Sequence, residues 1–504
     1  MASYNQDYVP GIIVQLGVFD GTAEQILYIS NFANTLGYSP IISNDIVITE
    51  SFESMNISDI EVHNANGEYD IWLNPAYVFT NRSIKIYVGD RNSGILPSEL
   101  IFDGLIADID SRSRTTINFK IRDKMERLNS AISETTLGVY GTWPANNSNK
   151  DKELTPLVFG EVCNISPVLI DPAQLEYLVS IGPISGIIEF RDNGFPIYSH
   201  PDVYPAQTTA RPDNAGVAVP ATGKFKLGKK LAGSLTASVQ GQTQSMTYPG
   251  GVPTYSSTVY SSGLASIIGV LATQYGKAST RLALSELNGT SLSAYTGVWV
   301  GLYLDSRMNV IEAINMLAGS IGANVSFSRS GKLGLYRRGS GTVGTNISTI
   351  TDSDIILNSL EIINKTTAIG SHKLTYCNNY SQQTGLLTGI QDSSKDLFSK
   401  EYLEIKAANT TTINNYKLEA EPETYSTLLI DSTQAQAEAD RRLALYLSPK
   451  IAYKFTGTRK MLGLELGQNV SITHNRFGLN NTTVQVISLT NNWTRLSTEV
   501  EVSI

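Results

Sequence analysis

Arg82-Ser83-Ile84-Lys85-Ile86-Tyr87-Val88-Gly89-Asp90 is the stretch that decides the fold class. Ile84, Ile86 and Val88 occupy alternate positions, so an extended chain puts all three on one face. That period of two marks a half-buried strand, because successive side chains of a strand point to opposite sides. Thr115–Asp123 repeats the pattern with Ile117, Phe119 and Ile121. Turn-forming clusters, Gly89-Asp90 and Asn92-Ser93-Gly94, lie between the two runs. Residues 1–135 therefore read as one β unit, with Arg122–Ile132 predicted to close it as a short helix.

Downstream, Leu157-Val158-Phe159 and Ile187–Phe190 read as strands, and Asp192-Asn193-Gly194 as a hairpin turn, since Gly tolerates positive φ. Residues 201–262 are rich in Pro, Gly, Ser and Thr and are expected to be extended loop with one strand, Ser234–Val239. Two helices follow. Leu264, Ile267, Ile268, Leu271 and Tyr275 share one face; Met308, Ile311, Ile314, Leu317 and Ile321 share another, with Asp305 or Ser306 as N-cap. A strand Asn324–Phe327, the turn Ser328-Arg329-Ser330-Gly331 and a strand Lys332–Tyr336 complete an α+β element. From about 350 the chain turns β-rich again, apart from a helix near Thr433–Leu447 with Thr433 and Gln436 at capping-box spacing and Pro449 beyond its end. The expected fold class is mainly β with α+β insertions, multidomain. Its expected segments are 1–135, 136–262 (β-rich with extended loops), 263–345 (α+β) and 346–504 (β with a helical insertion).

Composition bounds the function. A chain of 504 residues suggests roughly three or four domains. With 41% hydrophobic and 17% charged residues it can bury cores and is not a disordered chain. Twenty-five tyrosines and 41 glycines suit short strands and turns. A net charge of −8 argues against binding nucleic acid through phosphate neutralisation. Cys163 and Cys377 admit one bridge or two buried free thiols; with no disulfide framework, and synthesis read as cytoplasmic, the thiols are expected. Met1–Gly17 has no signal-peptide pattern and no run approaches 18 apolar residues, so neither a signal peptide nor a membrane anchor is expected.

Motifs that tempt a chemical reading lack their context. Gly339-Ser340-Gly341-Thr342-Val343-Gly344 matches the dinucleotide fingerprint, but Thr345–Asp352 is β-branched and turn-like where a helix must follow. Gly223, Gly228 and Lys229 imitate a phosphate-binding loop, yet Lys230 stands where Ser or Thr should hold magnesium. Lys224, Lys226, Lys229 and Lys230 read as a solvated basic loop or a contact with an acidic partner. Ala318-Gly319-Ser320-Ile321-Gly322 approaches a nucleophile elbow but sits at a helix C-terminus, with Gly322 as cap. His63, His200, His372 and His474 form no close ligand pair, so no metal site is expected. Asp103, Asp108 and Asp110, and Glu419, Glu421 and Glu423, read as solvated strand faces rather than catalytic carboxylates. No catalytic, cofactor or metal residue is assigned, and no enzyme is expected.

Four segments together resemble a known family. They are Ile60-Glu61-Val62 with Asn66–Leu73, Arg82–Gly89 and Phe102–Ile106; Pro156–Gly160 with Ile165–Asp171; Asp305–Tyr336; and Leu464–His474 followed by Arg476-Phe477-Gly478-Leu479. The set resembles the tail-tip or baseplate hub proteins of tailed bacteriophages. The resemblance implies a trimeric ring at the distal end of the tail tube, built from two β-barrel-like domains per subunit, 1–135 and the C-terminal β region. It implies a pseudo-sixfold face toward the sixfold tube or distal tail ring, with the middle domains extending toward the tip. The implied partners are the distal tail or tube protein, tip or fibre proteins and the tape measure protein. DNA would pass through the channel without specific binding, an acidic lumen being suited to not holding it. The implied location is the virion tail, after synthesis in the host cytoplasm. The chain ends soon after its last signature, so receptor contact and wall digestion are expected of partner proteins. Two cysteines are too few for a four-thiolate cluster. The competing reading is a receptor- or carbohydrate-binding virion protein, permitted by the tyrosines; a wall hydrolase is the third.

Overall fold

In the computed structural model, which describes residues 8–31, 40–93, 97–140, 150–198, 202–203, 216–228, 230–339, 341, 347–386, 390, 392–418 and 422–504, Ser83–Asp90 is a strand with Ile84, Ile86 and Val88 fully buried. It lies inside a six-stranded sheet, between Pro10–Phe19 and Glu99–Ser113, with Glu24–Ser30 outside the former and Thr116–Arg122 and Ile60–His63 beyond the latter. Ile117 and Phe119 are buried as the alternation requires. Phe119 packs edge-on to Phe79 at 5.3 Å and beside Trp72 at 6.0 Å. Each such side chain withdrawn from water contributes about 1.5–3 kcal/mol, so the pattern in the sequence is also the main source of the sheet's stability.

The chain divides into two compact units. Unit 1 comprises 1–126, 324–367 and 449–504; unit 2 comprises 127–323 and 368–448. These units cut across the expected segments: 263–345 is shared between them, and both the first and last segments build unit 1. The second sheet of unit 1 runs Thr349–Ile350, Asn469–Ile472, Thr482–Asn492, Ser497–Ser503, Ile451–Gly457, Glu361–Lys365. Its core is Tyr453, Phe455, Val470, Ile472, Val484, Val486, Val500 and Val502 among others. A strand from the opposite end of the chain joins it: Val47–Ser51 pairs antiparallel with Thr482–Asn492, and Met55–Ile57 pairs with Val47–Ser51. The two β regions of unit 1 are thereby stitched through backbone hydrogen bonds.

The hairpin Ala323–Phe327/Leu333–Arg337 adds a second tie. At its tip, the Arg329 carbonyl accepts from Asp103 N at 2.9 Å, while its guanidinium lies 3.2 Å from Glu50 Oε2 and donates to the Leu464 carbonyl at 3.1 Å. The same guanidinium stands over the Trp493 ring at 5.8 Å. Glu50 is 3% exposed, and burial pushes its carboxyl pKa upward against the pull of Arg329.

Unit 2 carries a five-stranded sheet ordered Phe195–Tyr198, Ile184–Asp192, Leu235–Gln242, Leu157–Ile165, Gly301–Leu304. A second sheet runs Val168–Asp171, Glu176–Leu178, Lys224–Leu227, Gly216–Val219, Asp202–Val203. Asn193 and Gly194, both at positive φ, turn the expected hairpin. The helices Leu264–Gln274 and Val310–Ser320 pack together, the first buried nearly all round. Helix Ser432–Leu445 covers a three-stranded sheet, Leu403–Ala408, Ser371–Tyr376, Thr424–Tyr425, through Leu374, Ala407, Ala439 and Leu443.

The protein is mainly β, 42% strand against 20% helix, multidomain with α insertions. Several local expectations need correction. Arg122–Ile132 gives only the 3-10 turn Met125–Leu128. The Val310–Ser320 helix is capped by Asn309 and Glu312, and it buries Val310, Ala313, Ile314 and Leu317 rather than Met308 and Ile311. Asp431, accepting from Gln434 N at 2.8 Å, caps the later helix in place of Thr433. Residues 201–262 hold strands Lys224–Leu227, Ser245–Thr247 and Thr254–Ser256 besides the expected one. Two further helices, Asp392–Ser399 and Thr410–Tyr416, lie in the last region; Asn409 caps the second.

Candidate interaction surface

The motif-bearing residues are structural where they are described. Gly223 (φ +64) brings its backbone against Ser180, where an added Cβ would lie 1.9 Å from the Ser180 carbonyl oxygen. Lys224 and Lys226 alternate with the buried Phe225 and Leu227 on a strand inside the second sheet of unit 2, so this part of the expected basic loop is a strand. Lys230 is exposed, and Lys229 lies outside the described residues. Gly339 and Gly341 meet Gln485 and Asn469: Gly339 N donates to Gln485 Oε1 at 3.0 Å and Asn469 donates to the Gly341 carbonyl at 2.5 Å. The next described element is the strand Thr349–Ile350; Ser340, Thr342, Val343 and Gly344 are not described. Ser320 is fully buried, donates to the Met316 carbonyl at 3.0 Å and accepts from Leu428 N at 2.9 Å, a structural hydroxyl.

The acidic cluster Asp103, Asp108 and Asp110 separates by environment. Asp108 and Asp110 pair with Lys120 at 3.3 and 2.9 Å on the partly exposed face. Asp103 is instead an inward residue, paired with the buried Lys124 at 3.0 Å. Glu423 is exposed; Glu419 and Glu421 lie outside the described residues, as does His200. His63 is exposed at the end of the strand Ile60–His63, and His474 Nε2 sits 3.1 Å from Asp352 Oδ1. Among the described residues no three His, Cys, Asp or Glu side chains gather as a metal would require, and no helix is long and apolar enough to cross a membrane.

His372 is an internal group with a measurable consequence. It is buried beside the Tyr425 ring at 4.6 Å. Burial, followed by the Arg442 charge, lowers its pKa from 6.5 to about 4 against the opposing pull of Glu438. The folded state therefore keeps a neutral ring where the unfolded chain binds a proton. Stability from this residue is full above pH 6.5 and is lost as pH falls toward 4. His372→Gln is expected to flatten the pH dependence of stability in that window by about 2–3 kcal/mol, read by denaturant melts of both proteins at pH 7 and pH 4.

Among the described residues, two strands of unit 1 stand at the ends of their sheets with one edge unpaired. Glu361–Lys365 is the end strand of the second sheet, and all five of its residues are exposed. A bulge between Ile362 and Asn364 breaks its pairing with Ile451–Gly457, so Ile362 and Ile363 both reach solvent. Beside it Leu357 is 87% exposed and Ile356 48%. They rim a cleft of about 420 Å³ that Leu360, His474 and Arg476 also line. The first sheet ends in Glu24–Ser30, where Ile26 and Tyr28 are exposed. An unpaired strand edge with apolar side chains is a template for another chain.

No protein-family model matches the chain, and no curated protein matches it. Among solved structures it is similar to the 43 kDa tail protein of prophage MuSo2 from Shewanella oneidensis, at 11% identity, covering 98% of each chain, TM-score 0.37. It is similar also to prophage tail protein gp18 from Listeria monocytogenes, at 10% identity over 98% of this chain and 94% of that one, TM-score 0.38. A third is a chain in the virion of a native gene transfer agent particle, at 13% identity over 75% and 91% of the two chains, TM-score 0.42.

The open edges were not singled out from sequence. Their one signal is Ile362-Ile363: adjacent apolar residues in a short strand point to opposite faces, and a strand with one solvated face has no use for both. Four of the tyrosines are held by packing. Burial raises the hydroxyl pKa of Tyr248, Tyr275, Tyr303 and Tyr336.

Proposed function

We propose that this chain is a structural component of a bacteriophage tail, the hub of its tip or baseplate, and that it works as a ring of three copies rather than as an enzyme. The observation that carries the assembly reading is the pair of open apolar edges in unit 1, Glu24–Ser30 and Glu361–Lys365. Three copies meeting edge to edge, the first sheet of one against the second sheet of the next, form a heterologous contact that closes into a ring. Each copy contributes two sheets, so a threefold ring offers six sheet units to a sixfold tube. DNA passes through the ring unbound, in keeping with the net charge of −8. The distal tail or tube protein, tip or fibre proteins and the tape measure protein are its neighbours.

Native mass spectrometry of tips released from particles tests this. Three copies of the 54.8 kDa chain are expected per tip; one copy, or six, would contradict the reading. Ile362→Lys/Ile363→Lys places two charges in the contact and is expected to reduce incorporation at least tenfold without unfolding unit 1, because both positions are exposed. Full incorporation of that variant would remove the edge from the interface.

A further inference from the structure

We propose that Cys163 and Cys377 are a cross-linking site: free thiols in the chain as made, they join as an intramolecular disulfide when a small-molecule disulfide is supplied. The inference is independent of the tail role. Both residues are free and partly exposed, and their sulfurs stand 3.6 Å apart, at van der Waals contact. A disulfide needs about 2.0 Å, so closure asks for an approach of roughly 1.6 Å, within reach of side-chain rotation and a small backbone shift.

The backbone around both sulfurs is held in register for that closure. Cys163 lies on the strand Leu157–Ile165 and bridges in parallel to Asn379. Asn164, at φ +53, donates to Asn379 Oδ1 and to the Ser381 carbonyl, each at 2.7 Å. Cys377 itself is at φ +50, its N–H donating to the Leu429 carbonyl at 2.7 Å. Asn379 is tied further by donation to the Phe398 and Lys400 carbonyls at 3.0 and 2.8 Å. Asn164, next to Cys163, and Cys377, just past the strand Ser371–Tyr376, are both non-glycine residues held at positive φ, a placement that the surrounding bonds impose. The Cys377 thiol donates toward Cys163 Sγ at 3.6 Å, and this contact lowers the Cys377 pKa and raises that of Cys163. Cys377 is thus the attacking sulfur.

With oxidised glutathione the steps balance. The Cys377 thiolate attacks one glutathione sulfur, forming a mixed disulfide and releasing one glutathione thiolate, which takes up the Cys163 proton. The Cys163 thiolate then attacks Cys377 Sγ and expels the second glutathione. Two protein thiols are oxidised to one disulfide, and one glutathione disulfide is reduced to two thiols. The bond spans 214 positions and joins the two chain segments that make unit 2, 127–323 and 368–448. Closing so long a loop is expected to raise the melting temperature of unit 2 by roughly 5–10 °C.

The test uses the full chain, reduced, desalted, incubated with oxidised glutathione, alkylated and digested. The expected result is a single pair of peptides joined through Cys163 and Cys377, loss of both alkylation sites, and a melt roughly 5–10 °C above that in dithiothreitol. Cys163→Ser and Cys377→Ser should each melt alike with and without oxidant. Full alkylation of both cysteines after oxidation, stable glutathione adducts on each, or a bond between two chains would overturn the proposal. The peptide map of the unmutated chain decides even where a serine variant does not fold.

Discussion

Replacing Arg329 with methionine is expected to cost unit 1 about 3–5 kcal/mol, the range for removing one partner of a buried ion pair. The residue left behind explains the size. Glu50 is 3% exposed and has Arg329 at 3.2 Å as its cation; without it a carboxylate stays in a low-dielectric interior. The Leu464 carbonyl also loses a donor, and the Trp493 ring loses the cation over its face. For a unit of this size the loss corresponds to a fall in melting temperature of about 10 °C. The double replacement Glu50→Leu/Arg329→Met is expected to recover most of that loss, because two apolar side chains need no partner. Hydrogen exchange resolved by peptide separates unit 1 from unit 2 in this measurement. Unchanged protection across Val47–Ser51 and Thr482–Asn492 in the single variant would show that the Arg329 tip does not tie the two sheets.

Gly223→Ala is the second large effect, about 3–5 kcal/mol in unit 2. An alanine at φ +64 costs about 1–2 kcal/mol by itself. Its Cβ would then stand 1.9 Å from the Ser180 carbonyl oxygen, an overlap that the backbone must relieve. Ser180 cannot retreat freely: its hydroxyl accepts from Val158 N at 3.1 Å and from Gln242 Nε2 at 3.0 Å, and Val179 N donates to the Gly223 carbonyl at 2.9 Å. A thermal melt measures the loss directly. A Gly223→Ala variant as stable as the parent would mean that this glycine is not held by packing, and would reopen the phosphate-loop reading of Gly223, Gly228 and Lys229.

Local physics made part of this fold legible. Period-two burial in Ser83–Asp90, the Asn193-Gly194 hairpin and the turn Ser328–Gly331 are decided by neighbours in sequence, and each is found where its chemistry places it. Errors arose where two short-range signals competed. Asp305 and Ser306 are capable caps, but Asn309 stands directly before the apolar run, and its N–H donates to the Glu312 carboxylate at 2.8 Å. Short strands such as Ser245–Thr247 and Thr254–Ser256 hide in a Ser- and Gly-rich region because three residues cannot display a period. Long-range pairings leave no local trace at all. Nothing near Val47–Ser51 indicates that its partner is Thr482–Asn492, and nothing near Arg329 points to Glu50. For the same reason the turn was readable while its role as a tie between sheets was not. The open edge at Ile362-Ile363 belongs to this class: its exposure follows from a bulge and from its place at the end of the sheet order.

The edges bear most directly on function, since an unpaired apolar strand is the feature through which copies can join. A cryo-electron microscopy map of the tailed particle proposed to carry this chain, focused on the distal end of its tail, tests the central claim. The expected map shows three copies around the tail axis, their unit 1 sheets alternating around an open channel, with Glu361–Lys365 of each copy against Glu24–Ser30 of the next. Density for the chain off the axis, in a fibre, or in a ring of any other copy number would contradict it.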